Sequence, residues 1–370
     1  KAEFPLPLSA FRIGKSQTTM RHTLSLFLLL LTTGLHAQMW NGRDTLYGNE
    51  WIDYGQDYYK LSVAEDGIYR IGYAQLQQAG IDVAGTAAGR YQLFHLGEEV
   101  ALYTPAAPGT PLQPGDYLEF YGRKNRAELD RYLFKDPDAE LLNPAYSMFT
   151  DTAAYFLTIG PEGTQGERYR EVANELEGAP AREDYIWFRE QNVYSGVTTY
   201  SKRGFRLGGV TITYSHFDMA EGYGTKDNNG LLGNVTPQSL TLPVGGLYEA
   251  GPAATLRTRY ACGAGAHDQT IEVNGTSFYQ EQFSGFTVKD TSLSIPLDNL
   301  NNGDNSIVFS GQGERGDNQT VAILELTYPR RPDLGGESAL TFQLRSNGAR
   351  RYVEFFNYDA AAGAAVLYNP

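Results

Sequence analysis

The sequence holds a single cysteine, Cys262, in 370 residues. A lone thiol excludes an internal disulfide framework, so stability has to come from a sizeable hydrophobic core, which this length allows. Histidine is also scarce, with five in the chain. Neither His95 nor His216 has a second histidine or cysteine at ligand spacing, so metal binding by nitrogen or sulfur is not expected. Basic residues are in deficit: 30 Lys and Arg face 43 Asp and Glu, a net charge of −13. Such a chain repels phosphate backbones and anionic lipid, and it has no basic patch with interleaved aromatics; nucleic acid is excluded as a partner. Long apolar runs are missing too. The main apolar block, residues 24–31 (LSLFLLLL), falls far short of the roughly 18 residues of a membrane-spanning helix.

That block has another reading. Met20-Arg21-His22 is a short basic start, and residues 32–37 (TTGLHA) form a polar exit ending in a small residue. This is the three-part plan of a secretory signal peptide over residues 20–37, with cleavage expected between Ala37 and Gln38. No cysteine follows the block to carry a lipid. Residues 1–19 precede the basic start and are expected to be upstream or attached sequence, outside the fold. Removing residues 1–37, with four basic residues and one acidic, moves the net charge from −13 to −16. The far end reads as unfinished. Residues 344–353 have strand chemistry and Val366-Leu367-Tyr368 opens another run, so the chain is expected to be a fragment of a longer protein.

What is abundant is 26 Tyr, 18 Phe and 41 Gly, a mixture that favours strands and turns. The expected fold is mainly β. An N-terminal β-domain with one short helix (38–165) leads through a polar, Gly/Glu-rich boundary to an antiparallel β-sandwich (180–330). A further unit starts at 337–370. In the first domain, Tyr58-Tyr59-Lys60-Leu61-Ser62-Val63 and Ile68-Tyr69-Arg70-Ile71 flank a turn at Ala64-Glu65-Asp66-Gly67, with Gly67 expected at positive φ; the pair reads as a hairpin. Residues 73–79 read as a helix closed by Gly80. Residues 91–96, 100–103, 116–122 and 155–159 read as strands, with a turn at Gly97-Glu98-Glu99. Residues 185–194 are a short helix or an extended connector. Strands then recur at 209–214, 239–243, 254–262, 269–273, 286–289, 292–296, 305–309 and 321–328. Gly/Asn turns such as Asn274-Gly275 and Asn302-Gly303 separate them.

Several of these segments, in order, carry a resemblance. The run Tyr58 to Ile71 resembles the opening strand pair of the gingipain-type cysteine peptidases, closest to the type IX secretion sortases of Bacteroidetes. Gln92 to Val100 (QLFHLGEEV) is similar to that group's next hairpin, and Gly115 to Gly122 (GDYLEFYG) to its following segment. Asn143-Pro144-Ala145-Tyr146-Ser147 and then Tyr155-Phe156-Leu157-Thr158 match the next stretch. Ile271 to Gly275 and Asn305-Ser306-Ile307 resemble strands of its β-sandwich. The Glu221-Gly222-Tyr223-Gly224 loop departs from the longer loop of many relatives. In that family these segments lie upstream of a caspase-like domain with a His–Cys dyad. The resemblance therefore implies a non-catalytic accessory region of an exported peptidase. It implies partners in the downstream catalytic domain and in outer-membrane proteins of the secretion system. Its destination would be the periplasm or the outer-membrane surface, and its parent's work the processing of secreted cargo.

The residues themselves offer few catalytic constellations. Cys262 and His267 are the nearest thiol and imidazole, but Cys262 ends an alternating run (Leu256, Thr258, Tyr260, Cys262), which suits a buried structural cysteine. Two oxygen-rich loops, Asp227-Asn228-Asn229-Gly230 and Asp298-Asn299-Leu300-Asn301-Asn302-Gly303-Asp304, partly match a calcium loop. They lack its closing glutamate, and turn chemistry explains them better; calcium is the one cofactor left open. Glu98-Glu99 and Glu183-Asp184 are adjacent carboxylates, which in a strand point to opposite faces and make poor glycosidase pairs. The Gly204 to Gly209 run lacks the Gly-Lys-Ser/Thr ending of a phosphate loop and reads as a turn. No catalytic, cofactor or metal residue is assigned. The competing reading is a stand-alone extracellular β-sandwich that binds carbohydrate or adheres to surfaces.

Overall fold

The computed structural model describes residues 9–11, 49–196, 204–213, 217, 219–226, 236–263, 265–311, 317–344, 348–359, 361 and 365–369. The signal peptide, His216 and Asp227-Asn228-Asn229-Gly230 lie outside the described residues. No helix among those described is long and apolar enough to cross a membrane. The chain is mainly β, as expected, and divides into two compact units.

The first unit takes in Ala2–Asn125 and Thr152–Val172. Its strands are β1 (Ser9–Phe11), β2 (Tyr58–Val63), β3 (Gly67–Gly72), β4 (Tyr91–His95), β5 (Glu98–Val100), β6 (Tyr117–Gly122) and β7 (Ala153–Ile159). They form a five-stranded antiparallel sheet, β1-β2-β7-β4-β5, and a separate pair, β3-β6. Against the expectation that residues 1–19 lie outside the fold, Ser9–Phe11 pairs with Tyr58–Lys60 at the sheet edge. Alternation with period two sends Leu61, Val63, Tyr69, Ile71, Leu118 and Phe120 into one core. Helix α1 (Tyr73–Gln78) adds Leu76, and Gly80 (φ +86°) closes it.

The expected hairpin between β2 and β3 does not form. β2 pairs with β7 and β3 with β6, and Gly67 is not at positive φ. The intervening turn is a corner between two sheets, which lets the inward residues of both strands reach the same core. Period two reports which face a residue takes, not which strand lies beside it. The second hairpin does form, β4 to β5, with its turn at Leu96-Gly97 (φ +50° and +88°) rather than one residue later.

The second unit takes in Arg126–Asp151 and Ala173–Pro370. Its helix is α2 (Pro137–Glu140) and its strands are β8 (Ile186–Val193), β9 (Gly204–Leu207), β10 (Val210–Thr213), β11 (Gln238–Val244), β12 (Ala254–Cys262), β13 (Ala266–Val273), β14 (Thr276–Ser284), β15 (Thr287–Ile295), β16 (Gly303–Ser310) and β17 (Gln319–Arg330). Two four-stranded antiparallel sheets result, β11-β16-β13-β14 and β15-β12-β17-β8. Between them Leu256, Tyr260, Ile271, Phe309 and Tyr328 are fully or almost fully buried, each contributing about 1.5–3 kcal/mol by leaving water. β9 and β10 form a hairpin turning at Gly208 and Gly209, both at positive φ.

Of the two alternatives for residues 185–194, the extended one holds: they contain an edge strand, β8. Two element readings change. The two strands expected at 286–289 and 292–296 are one, β15, because Asp290, which reads as a turn residue, is held in register by Arg257 across the ladder at 2.7 Å. Residues 344–353 form no regular strand among the described positions; the isolated bridge of Arg182 to Tyr352 lies within them, and that of Trp187 to Gln343 just before.

The grouping of Arg126–Asp151 also differs from a first domain running 38–165. This segment packs on the outward face of the β12–β17 ladder. Leu142 meets Ala261, Ala322 and Ile323 there. Asp136 caps α2 and Pro137 starts its first turn. Arg259 of β12, only 6% exposed, then donates to the carbonyls of Asp138, Leu141 and Leu142 at 2.6–3.2 Å. Asn143 is fully buried; its amide donates to the carbonyls of Tyr194 and Tyr223 at 3.1 and 2.9 Å. Buried Asp130 accepts from the Ser147 hydroxyl and the Met148 amide at 3.0 and 2.8 Å.

Candidate functional site

The thiol–imidazole pair was the first catalytic candidate, and its geometry does not suit a nucleophile. Cys262 is fully buried in the sandwich core. Burial, helped by the Asp317 carboxylate, pushes its thiol well above the usual range, and the thiolate is the reactive form. His267 is 1% exposed. Its Nδ1 lies 2.6 Å from Asp317 Oδ1 and its Nε2 lies 2.9 Å from the Gly263 carbonyl. Neither nitrogen is left to take a proton from a thiol. The pair ties the start of β13 to the start of β17, and Gly311 leaves room for it, since a Cβ there would come within 2.1 Å of Asp317.

The other candidates have structural partners. His95 stacks on Tyr155 with centroids 4.1 Å apart and faces the Ala154 carbonyl. Glu99 accepts from Gln92 and from the Glu167 amide. In the 298–304 loop, Asp298 and Asp304 are exposed, while Asn305 and Asn274 spend their side chains on the turns around them. Among the described residues no three His, Cys, Asp or Glu side chains converge as a metal site. Asn274-Gly275 is the β13–β14 turn, with φ of +48° and +82°.

One surface of the second unit is built differently. Where β8 begins and β17 ends, the chain gathers aromatic rings around two adjoining hollows, of about 160 and 510 Å³. Tyr185 stacks on Tyr248 (5.6 Å, 17°) and meets Trp187 edge-on (5.7 Å, 87°). The order follows from local structure. Tyr185 and Trp187 enter β8, and the Gly246–Arg331 backbone bond brings Tyr248 alongside. Gly246 (φ +66°) makes the turn that a side chain would strain.

Charged groups frame the rings. Glu183 is shared by both hollows and pairs with Arg351 at 2.6 Å. Arg182 pairs with Glu354 at 3.1 Å and lies 5.5 Å from the Phe356 ring. Arg331 lies 5.7 Å from the Tyr248 ring, and the Asp333 carboxylate accepts from Asn357 at 2.9 and 3.0 Å. Asp184 is exposed and makes no hydrogen bond or ion pair among the described residues. Glu183 and Asp184 were noted in the sequence as neighbouring carboxylates; nothing local signalled Tyr248, Arg331 or Phe356 as their companions, because these come from far along the chain.

No family model matches the chain, and no curated protein matches it. Among solved structures it is similar to dimeric latent PorU from Porphyromonas gingivalis, with a TM-score of 0.45 and 12% identity over 75% of this chain. The chain spans 24% of the length of that one. It is also similar to a carbohydrate-binding module, CBM36, in complex with calcium and xylotriose (TM-score 0.22, 15% identity, 37% of this chain and 98% of that one). A third is the CBM35 of Cellvibrio japonicus Abf62 (TM-score 0.21, 15% identity, 39% of this chain and 96% of that one). At these scores the likeness says nothing about activity or ligand.

Proposed function

We propose that this chain is the non-catalytic N-terminal region of an exported gingipain-type cysteine peptidase of the type IX sortase group. It would serve recognition and positioning, while bond cleavage belongs to a caspase-like domain elsewhere in the parent protein. The observation that carries the proposal is the closed state of Cys262 and His267 at the start of β17, together with an open, aromatic cleft at its other end: the molecule presents a surface for contact and seals its only thiol. The ordered segments that resemble the family support the same reading. Several of them are framework pieces here, with Asn143 to Ser147 locking a segment onto the sandwich.

The test is chemical labelling in the native cell envelope. A cysteine-peptidase affinity probe is expected to label a polypeptide that reacts with antibodies to this chain and is much larger than 40.9 kDa. The label should map outside residues 38–370. Labelling at Cys262, or thiol-dependent peptidase activity of the purified chain that is lost in Cys262→Ala, would overturn the proposal. So would a native polypeptide without a caspase-like domain.

A further inference from the structure

We propose that the cleft formed by Tyr185, Tyr248, Arg331 and Asp184 is a binding site for a neutral glycan. The inference takes the cleft as a recognition surface but does not depend on the identity of the parent protein.

Three features lead to that ligand class. The first is the ring array: Trp187, Tyr185 and Tyr248 touch one another in that order, and Phe356, 41% exposed, also lines the larger hollow. The C–H face of a pyranose is apolar and suits such rings, whose own faces carry partial negative charge. The second is charge balance. Three guanidiniums (Arg182, Arg331, Arg351) are matched by three carboxylates (Glu183, Asp184, Asp333) around the two hollows. A phosphate or sulfate ligand would need a net positive lining, and an acyl chain would leave these charges unsolvated. A polyol satisfies both signs, because each hydroxyl donates and accepts.

The third feature is which polar groups are still open. Arg182 and Arg351 are held in ion pairs, and Asp333 is held by Asn357. Among the described residues, the Arg331 guanidinium makes no hydrogen bond or ion pair and lies 5.7 Å from the Tyr248 ring, and Asp184 has no hydrogen bond or ion pair. Both line the larger hollow, beside Tyr248. One group is a donor and the other an acceptor, so the hydroxyls of a sugar can accept from Arg331 and donate to Asp184. A volume of about 510 Å³ falls within the range of small-ligand sites, roughly 300–1,000 Å³.

The experiment is affinity electrophoresis of the full chain in gels containing xylan, mixed-linkage β-glucan, mannan or agarose, with heparin and polygalacturonate as charged comparators. Retardation by at least one neutral polysaccharide is expected, persisting in about 0.5 M salt, where exposed charges more than roughly 4 Å apart are largely screened. Tyr248→Ala and Arg331→Ala should each weaken it about tenfold or more, with unchanged circular dichroism. Should Tyr248→Ala disturb folding, the exposed and conservative Asp184→Asn is the deciding variant, and it should weaken binding too. The proposal is overturned if no neutral polysaccharide retards the chain. It is also overturned if only charged ones do so, if retardation is the same in folded Arg331→Ala and Asp184→Asn, or if the cleft binds only extended peptides. None of these results would bear on the peptidase labelling above, so the two proposals can fail separately.

Discussion

Arg259 joins two parts of the second unit, the Arg126–Asp151 segment and the β12–β15 ladder. It is almost fully buried on the outward face of β12, where its guanidinium satisfies the carbonyls at the end of α2 and also reaches Asp290 at 3.1 Å. Arg259→Leu would leave those carbonyls without donors, at about 1–3 kcal/mol for each that water cannot reach. Urea unfolding of the variant is expected to show a loss of at least about 3 kcal/mol. Arg259→Lys should recover only part of it, because an ammonium cannot fork across several carbonyls. Asp290 makes a pH prediction. Burial works against its charge, but the hydrogen bonds from Arg257 and the nearby Arg259 outweigh this and hold the carboxyl below the usual range. A lowered folded value means that the contribution is complete above the unfolded value of about 3.9 and fades as pH falls through the folded one. The stability gap between wild type and Asp290→Asn should therefore be widest at neutral pH and close below about pH 4; melting temperatures across that range measure it. For Cys262, burial and a raised thiol predict that a thiol reagent reacts only at the rate of unfolding. Stoichiometric labelling of the folded chain within minutes would contradict the buried position.

At the scale of elements, glycines show the difference between a local requirement and a tertiary one. Gly275 sits at φ +82° with open space around it, so Gly275→Ala should cost about 1–2 kcal/mol through backbone strain alone. Gly224 has no such φ. A Cβ there would come within 2.6 Å of Thr320 and 2.9 Å of the Val321 carbonyl, and overpacking against backbone costs about 1–3 kcal/mol. Structure separates the two variants: only Gly224→Ala should shift backbone resonances in β17, whereas Gly275→Ala should disturb its own turn. The first requirement was legible in the sequence, because Asn-Gly between alternating runs signals a two-residue turn. The second was not, since nothing near Gly224 in the chain names β17 as its neighbour. The same limit explains the β2–β3 correction. The alternation Leu61, Val63 and Tyr69, Ile71 correctly picks the buried faces, yet β7 and β6 arrive as partners from 153–159 and 117–122.

For the whole molecule, the main consequence is that Arg126–Asp151 belongs with the sandwich. Asn143→Ala removes the donor to two carbonyls, those of Tyr194 and Tyr223, and should lower stability by about 1–3 kcal/mol. Hydrogen exchange should rise in 138–147 and in the facing stretch of β17. Unchanged exchange there would mean that the segment is held by other contacts. The candidate cleft has the same origin in long-range assembly, for its rings and charges come from 182–187, 248, 331–333 and 351–357.

Composition and periodicity determined the mainly β character, the positions of most strands, the Asn274-Gly275 turn and the buried place of Cys262. These depend on neighbours within a few residues, through φ preferences and the two-residue repeat of a strand. Only the tertiary structure decided the rest: which strands pair, which unit Arg126–Asp151 joins, and that Tyr185, Tyr248, Arg331 and Asp184 meet at one cleft. Those outcomes depend on burial between groups distant in the chain, and local chemistry carries no record of distance. Even the scarcity noted at the outset takes its meaning there. One cysteine rules out disulfide stapling, but it is the closure of the core around Cys262 that makes it a packing residue.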